Sequence, residues 1–188
     1  MPLTEVPVSA TRTHLTQVME PGHANFLQKV FGGAILSMID LAAYTTASRF
    51  AGNICVTASF DRVDFHEPIE VGEVVTMEGL ITFAGRTSCE VTVEVWAENI
   101  LTREKRHTNT ARVTMVAIKD GKPVAVPVLI CENREDKVRF LSGKLRKERR
   151  FIHRAEFDRL VASMAAKSES ELDALLKLDK LVEALNPA

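Results

Sequence analysis

The chain has 188 residues, of which 46% are hydrophobic and 26% are charged, and its formal net charge is −1. This length is enough for one domain with its own core and an appendage. The near-neutral charge gives the molecule no general bias towards nucleic acid. The apolar runs are too short or too interrupted to span a membrane. We therefore expect neither nucleic acid nor a membrane among its partners.

The cysteine and histidine content indicates a cytoplasmic protein without a metal. Cys55, Cys89 and Cys131 are far apart and form no CxxC pair, which fits a reducing compartment and gives no disulfide or zinc framework. The five histidines form no HExxH-like pair. The N-terminal residues lack the charged start and apolar core of a secretion signal. We expect no metal and no resident cofactor.

The segment from His23 to Phe50 is the most informative stretch. In it, the pair Gly32-Gly33 precedes a long, almost wholly apolar run of residues. One carboxylate, Asp40, interrupts this run. A helix that is apolar on all sides is normally buried, and a buried carboxylate without a partner is costly. Asp40 therefore either bonds a neighbouring donor for structural reasons or takes part in catalysis. Perturbed carboxylates cluster at active sites, which favours catalysis.

The spacing within this helix predicts a site shared between two chains. The first N–H groups of a helix lack intrahelical partners, and Gly32 or Gly33 would let a substrate carbonyl approach them closely. Asp40 lies about 12 Å further along the axis at 1.5 Å per residue. One chain cannot bring both groups to a single carbonyl. Two helices running antiparallel across a dimer axis can, and a twofold dimer would form two such sites.

The rest of the chain predicts an antiparallel sheet around this helix. Residues 1–10 have the character of a loose arm, and Thr11–Met19 is a candidate first strand. After the helix, alternating patterns indicate four half-buried strands, at Cys55–Phe65, Val74–Phe83, Thr87–Glu98 and Lys105–Ile118. We predict an α+β fold over residues 1–118, with the sheet wrapped around one long central helix.

Beyond this domain we predict an extended linker at residues 119–133 and a helical extension at residues 134–188. Between Arg134 and Arg154 there are nine Lys/Arg and three Asp/Glu residues. Such a run is either an anion-binding face or a solvated helix face. Ser168 and Glu171 form a capping-box pattern ahead of a leucine-rich amphipathic helix, which we expect to serve packing or assembly.

The order of these segments resembles the hotdog-fold acyl-CoA thioesterases, and most closely the bacterial cytosolic acyl-CoA hydrolase branch. The resemblance is carried by FGGAILSMID on the helix and by VTASFDRVDF, GRTSCEVTVEVWAEN and ARVTMVAI on the strands. It covers roughly residues 10–130, and the basic tail is also similar. Its most specific part is the spacing of Asn25, Phe31, Gly32, Gly33 and Asp40. The family often has Asp and Gly where this chain has His23 and Gln28.

This resemblance implies hydrolysis of a fatty acyl-CoA to a free fatty acid and CoA, with CoA as part of the substrate. It implies a homodimer as the minimal active unit, usually in a trimer of dimers, that is, a homohexamer. The implied catalytic residues, drawn from two chains, are Asp40, Asn25 and Gly32 or Gly33. The turn at Arg86, Thr87 and Ser88 matches the family's CoA-contacting stretch, and Thr57, beside the helix, is a candidate for the site wall.

Several roles stay open at this stage. Asp40 can attack the thioester and form a mixed anhydride, or act as general base for water. Asn25 can orient the water or the carbonyl, or satisfy its own loop. Arg86 can pair with a CoA phosphate, or be a solvated turn residue. Five of the larger apolar residues either line an acyl tunnel or fill the core: Met38, Phe60, Phe65, Met77 and Phe83.

Two rival functions differ from thioester hydrolysis. Hydratases and dehydratases of the same fold use a histidine together with a carboxylate. His23 keeps that interpretation open, although Thr45 stands where the hydratase branch has its histidine. The other rival is a non-catalytic acyl-CoA-binding regulator. Such proteins usually carry a DNA-binding segment, and no helix-turn-helix is evident here.

Overall fold

The computed structural model describes residues 4–61 and 63–185. In chain order the elements are β1 (Glu5–Pro7), β2 (Thr13–Val18), α1 (Gly32–Ala51), β3 (Ile54–Phe60), β4 (Val74–Ala84), β5 (Ser88–Glu98), β6 (Lys105–Lys119), β7 (Lys122–Pro123), β8 (Val128–Ile130), α2 (Arg134–Ala165), α3 (Glu169–Leu175) and α4 (Leu181–Leu185). Short 3₁₀ turns lie at Val8–Thr11 and Pro21–His23.

The main sheet is antiparallel, in the order β2-β4-β5-β6-β3, with β7 paired to the end of β6. Its inner face is built by the alternation that the sequence predicts, because every second residue of β5, from Val91 to Ala97, is fully buried. Helix α1 contacts five strands of this sheet, β2 to β6. The helix ends where Gly52 takes a left-handed conformation, with φ of 61°. The predicted α+β fold, a curled sheet with one long helix against it, is confirmed.

The expectation that α1 is buried holds for only one side of the helix in the single chain. Its buried face includes Ile35, Ile39 and Ala43. On the opposite side Leu41 is 53% and Tyr44 40% exposed. The neighbouring edge strand β3 is also apolar and open.

The N-terminal arm and the segment 119–133 are more structured than expected. Strand β1 pairs in parallel with β8, with Glu5 opposite Val128. Val126 and Leu129 are buried, so this segment packs into the domain through its apolar side chains. Met1 to Leu3, at the start of the expected arm, lie outside the described residues.

The chain forms two compact units, residues 1–143 and 144–188. In the second unit, Ser168 and Glu171 form the predicted capping box at the start of α3. The amphipathic helix expected after it is instead two short helices, α3 and α4. Within residues 4–61 and 63–185, no helix is long and apolar enough to cross a membrane.

Candidate active site

Asp40 lies half-buried near the middle of α1, held by a short hydrogen bond from β3. The Thr57 hydroxyl donates to Asp40 Oδ1 at 2.5 Å. The pairing of β3 with β6 shifts register between Thr57 and Ser59. Bulges of this kind re-aim side chains and recur beside active sites. The bond occupies one oxygen of the carboxylate and leaves Oδ2 for a ligand.

An apolar groove of about 550 Å³ runs beside this carboxylate. Its lining residues are Leu36, Ser37, Asp40, Phe60 and Val63. The two polar side chains, Ser37 and Asp40, come from consecutive turns of α1. The apolar walls are suited to bind an acyl chain, and the carboxylate of Asp40 lies where it can meet a reactive polar group of that chain.

A second cavity, of about 360 Å³, lies at the start of α1. Polar and apolar residues line it together: Asn25, Leu27, Lys29, Val30, Gly32, Ile35, Phe65, His66, Glu67, Pro68 and Ile69. Gly32 is therefore the glycine at this cavity. The Phe31 ring covers Gly33 so closely that a Cβ there would clash with it.

Asn25 supports its own loop and also lines the cavity. Its Oδ1 accepts hydrogen bonds from Leu27 N at 2.8 Å and Lys29 N at 3.1 Å. The side-chain carbonyl thus serves the loop, and the amide NH₂ is the part that can serve a ligand. The loop role expected from the sequence is therefore present, and the role of Asn25 towards a ligand stays a prediction. The loop also needs Gln28 in the left-handed region, with φ of 58°. This explains why glycine is common at that position in the family that the sequence resembles.

The far wall of the cavity is fixed by an ion pair between the buried Glu73 and the half-buried Arg106. Arg106 donates to both carboxylate oxygens of Glu73, at 2.6 and 2.7 Å, and to the Pro68 carbonyl at 2.6 Å. These hydrogen bonds from Arg106 lower the pKa of Glu73, and the same bonds raise the pKa of Arg106. The pair ties the loop that carries His66 and Glu67 to strand β6.

Asp40, bonded to Thr57, lines one cavity of the chain, whereas Asn25 and Gly32 line the other. Asp40 is about 12 Å from Gly32 along the axis of α1.

The predicted CoA-contacting residues lie at the turn between β4 and β5 and line neither cavity. Gly85 N donates to Ser88 O at 2.7 Å, and Val126 N to Arg86 O at 3.0 Å. The Arg86 side chain is exposed. Through the cross-strand register, Cys89 is opposite Met115, which is opposite Thr57. The turn is therefore at the same level of the sheet as Thr57, two strands away.

His23 supports the turn before the loop that carries Asn25. Its Nδ1 accepts from Glu20 N at 3.1 Å, and its carbonyl accepts from Phe31 N at 2.7 Å. Unlike Asn25, His23 is not among the residues that line either cavity, which weakens the hydratase interpretation. Sequence reasoning missed Ser37, His66 and Glu67 as lining residues. Ser37 is three residues before Asp40, a helical spacing that places both on one face; His66 and Glu67 lie in an irregular loop and give no such signal.

A sheet curled against one long helix, with a glycine at the helix start and a carboxylate two turns later, defines a hotdog-fold protein of the thioester-processing class. Known proteins agree. The model of the Thioesterase superfamily matches residues 27–104. The Bacillus subtilis protein YkhA, described as an uncharacterized acyl-CoA thioester hydrolase, is 38% identical over 117 residues, 62% of this chain and 68% of that protein. The chain belongs to the hotdog-fold acyl-CoA thioesterase family.

Solved structures of acyl-CoA thioesterases share this fold over most of the chain. A hexameric acyl-CoA thioesterase in its apo form shares 39% identity with a TM-score of 0.77, covering 81% of this chain and 99% of that one. The Staphylococcus aureus acyl-CoA hydrolase, solved with butyryl-CoA, CoA and CoA disulfide, shares 30% identity with a TM-score of 0.75, covering 86% and 99%.

Three alanine variants of the Staphylococcus aureus enzyme are also similar to this chain. They replace an asparagine, an aspartate that lies 15 residues after it, and a threonine that lies a further 17 residues on. Asn25, Asp40 and Thr57 have the same residue types at the same spacings.

Proposed function

We propose that this protein hydrolyses a fatty acyl-CoA to a free fatty acid and CoA. The observation that carries the proposal is the Asp40 carboxylate, held at 2.5 Å by Thr57 beside an apolar groove. The match in type and spacing with the three residues replaced in the Staphylococcus aureus acyl-CoA hydrolase supports it.

The active site is assembled from two protomers. In a twofold dimer the Asp40 groove of one chain faces the helix-start cavity of its partner, which brings a carboxylate and the Gly32 N–H to one thioester. The exposed apolar face of α1, with Leu41 and Tyr44, supports this proposal. The open edge of β3 supports it too, since Ile54 is 64% and Val56 47% exposed, and exposed apolar edge strands invite pairing with another chain.

Three such dimers make the proposed hexamer. The relative described as a hexameric acyl-CoA thioesterase supports that assembly.

The chemistry follows from these groups. The Gly32 N–H and the Asn25 NH₂ donate to the oxygen that becomes negative as the thioester carbonyl is attacked, and such preorganised donors stabilise the transition state. Asp40 supplies the attacking electron pair directly or through water. Arg86, exposed at the β4–β5 turn, supplies a guanidinium that pairs with a phosphate of CoA. Three free cysteines, two of them buried, support a reducing cytoplasmic location.

Release of free thiol from a panel of acyl-CoAs, short to long, tests this function. We expect thiol release by the wild type, and a fall in kcat of about 10²- to 10⁴-fold in Asp40→Ala, the usual range for a general base. Asp173→Ala removes an exposed carboxylate of α3 and serves as the matched control. Equal activity of the wild type and Asp40→Ala would refute the proposed role of Asp40.

A further inference from the structure

Ser37 is the second polar side chain of the groove that holds Asp40. The other serine and threonine hydroxyls of α1 have protein partners. Thr45 and Thr46 donate to the carbonyls of Leu41 and Ala42 at 2.8 and 2.7 Å, and Ser48 accepts from Cys55 N at 3.1 Å. Among the described residues, the Ser37 hydroxyl has no such partner. It is therefore available to a ligand in the groove.

The spacing of Ser37 and Asp40 suits a water molecule held between them. Residues three apart on a helix have Cβ atoms about 5–6 Å from each other. A water that makes hydrogen bonds of about 2.8 Å to each side chain spans that distance. Thr57 occupies Asp40 Oδ1, so Oδ2 is the oxygen available to this water. The remaining walls of the groove, Leu36, Phe60 and Val63, offer it no competing side-chain hydrogen bond.

We propose that Ser37 is a positioning residue that holds the hydrolytic water against Asp40. This inference rests on the proposed thioesterase function and deepens it, because it assigns Asp40 the role of general base. The Ser37 hydroxyl acts through the water. It fixes the position of the water while Asp40 Oδ2 accepts one of its protons.

The reaction balances as follows. The water oxygen forms a bond to the thioester carbon as its proton passes to Asp40, and the carbonyl becomes an oxyanion. The intermediate collapses, the carbon–sulfur bond breaks, and the thiolate leaves. The proton on Asp40 then passes to the sulfur, which gives a carboxylic acid and the free thiol of CoA.

Competition between water and hydroxylamine tests the role of Ser37. Hydroxylamine attacks the same carbon and gives a hydroxamate instead of the acid. If Ser37 holds water, Ser37→Ala should lower acid formation about tenfold, the loss expected for one hydrogen bond, with KM unchanged. Hydroxamate formation should fall less, so the ratio of hydroxamate to acid rises. Ser37→Cys keeps the size of the side chain but is a weak donor, and it should raise the ratio too.

Thr45→Ala is the matched control, because it removes one hydroxyl from the next turn of α1 and should leave the ratio unchanged. A merely structural role of Ser37 predicts that both products fall in proportion. A constant ratio, or an unchanged rate of acid formation in Ser37→Ala, would overturn the proposal. A folded wild type that releases no thiol from any acyl-CoA would instead refute the proposed function. The two failures are therefore distinguishable.

Discussion

At the scale of single residues, the position of the Asp40 carboxylate depends on one hydroxyl. Asp40 sits on a helix and Thr57 on the neighbouring edge strand, so the 2.5 Å bond between them fixes a side chain that would otherwise rotate in an open groove. Preorganisation of this kind lowers the cost of reaching the reactive geometry.

Thr57→Ala should therefore reduce kcat about tenfold, as expected for loss of one hydrogen bond to a charged group. Thr57→Ser keeps the hydroxyl and should stay close to the wild type. Steady-state thiol release for both variants, with circular dichroism as a check on folding, measures this. If Thr57→Ser loses as much activity as Thr57→Ala, the loss of kcat does not come from the missing hydroxyl.

Gln28 is a second residue with a specific consequence, because its φ of 58° is one that side chains with a Cβ rarely adopt. Gln28→Gly should raise the free energy of unfolding by roughly 0.5–1 kcal/mol, after the entropy that glycine loses on folding is subtracted from the relieved strain. Gln28→Ala keeps the Cβ and should give no gain. Urea denaturation of the three proteins measures the difference; equal gains for glycine and alanine would contradict this explanation.

The site could be predicted in part from sequence because helical spacing is regular. Gly32 and Asp40 are related by the rise of a helix, which predicts the distance between them. Gly32 and Gly33 could not be separated, since the distinction depends on the Phe31 ring that covers Gly33. His66 reaches the cavity through an irregular loop, whose path no periodic pattern encodes.

At the scale of elements, the loop that forms the wall of the helix-start cavity depends on the ion pair of Glu73 with Arg106. Glu73 is 5% exposed, and its hydrogen bonds from Arg106 lower its pKa from the ordinary value of 4.5. A carboxylate with a lowered pKa adds stability above its ordinary pKa, and that stability is lost as the pH falls through the lowered value.

Glu73→Gln should therefore lower the free energy of unfolding by about 1–3 kcal/mol at pH 7. The gap between wild type and variant should narrow as the pH falls from 4.5 through the lowered pKa of Glu73, because the unfolded wild-type chain then binds a proton that the folded state binds only at lower pH. Urea denaturation at a series of pH values tests this. If the difference in the free energy of unfolding stays constant from neutral to acidic pH, the charge on Glu73 is not the source of its stabilising effect.

The strands and α1 could be predicted because alternation and helical spacing act over many residues. The pairing of β1 with β8 could not, since each strand has three residues and they lie more than 120 positions apart. Strand β3 ends at Phe60, whereas its pattern continues to Phe65. An apolar pattern also does not say which molecule covers it, so the sequence alone does not separate the side of α1 that faces its own sheet from the side that is exposed in the single chain.

At the scale of the whole molecule, one chain holds two half-sites. The Asp40 groove and the cavity at Gly32 share no lining residue, and the apolar surface beside the groove is open. A twofold dimer joins each half-site to the complementary one of its partner and covers that surface at the same time. Both the catalytic proposal and the assembly thus rest on the same geometry.

Mixed assemblies of two defective chains test this geometry most directly. Asp40→Ala and Asn25→Ala, each expected to lose activity alone, are co-expressed in equal amounts and purified together through one tag that both chains carry. If Asp40 and Asn25 act from different chains, about a quarter of the sites in a random mixture contain both intact residues. We predict that about a quarter of the wild-type activity per chain returns. Activity no higher than that of either variant alone would contradict a shared site.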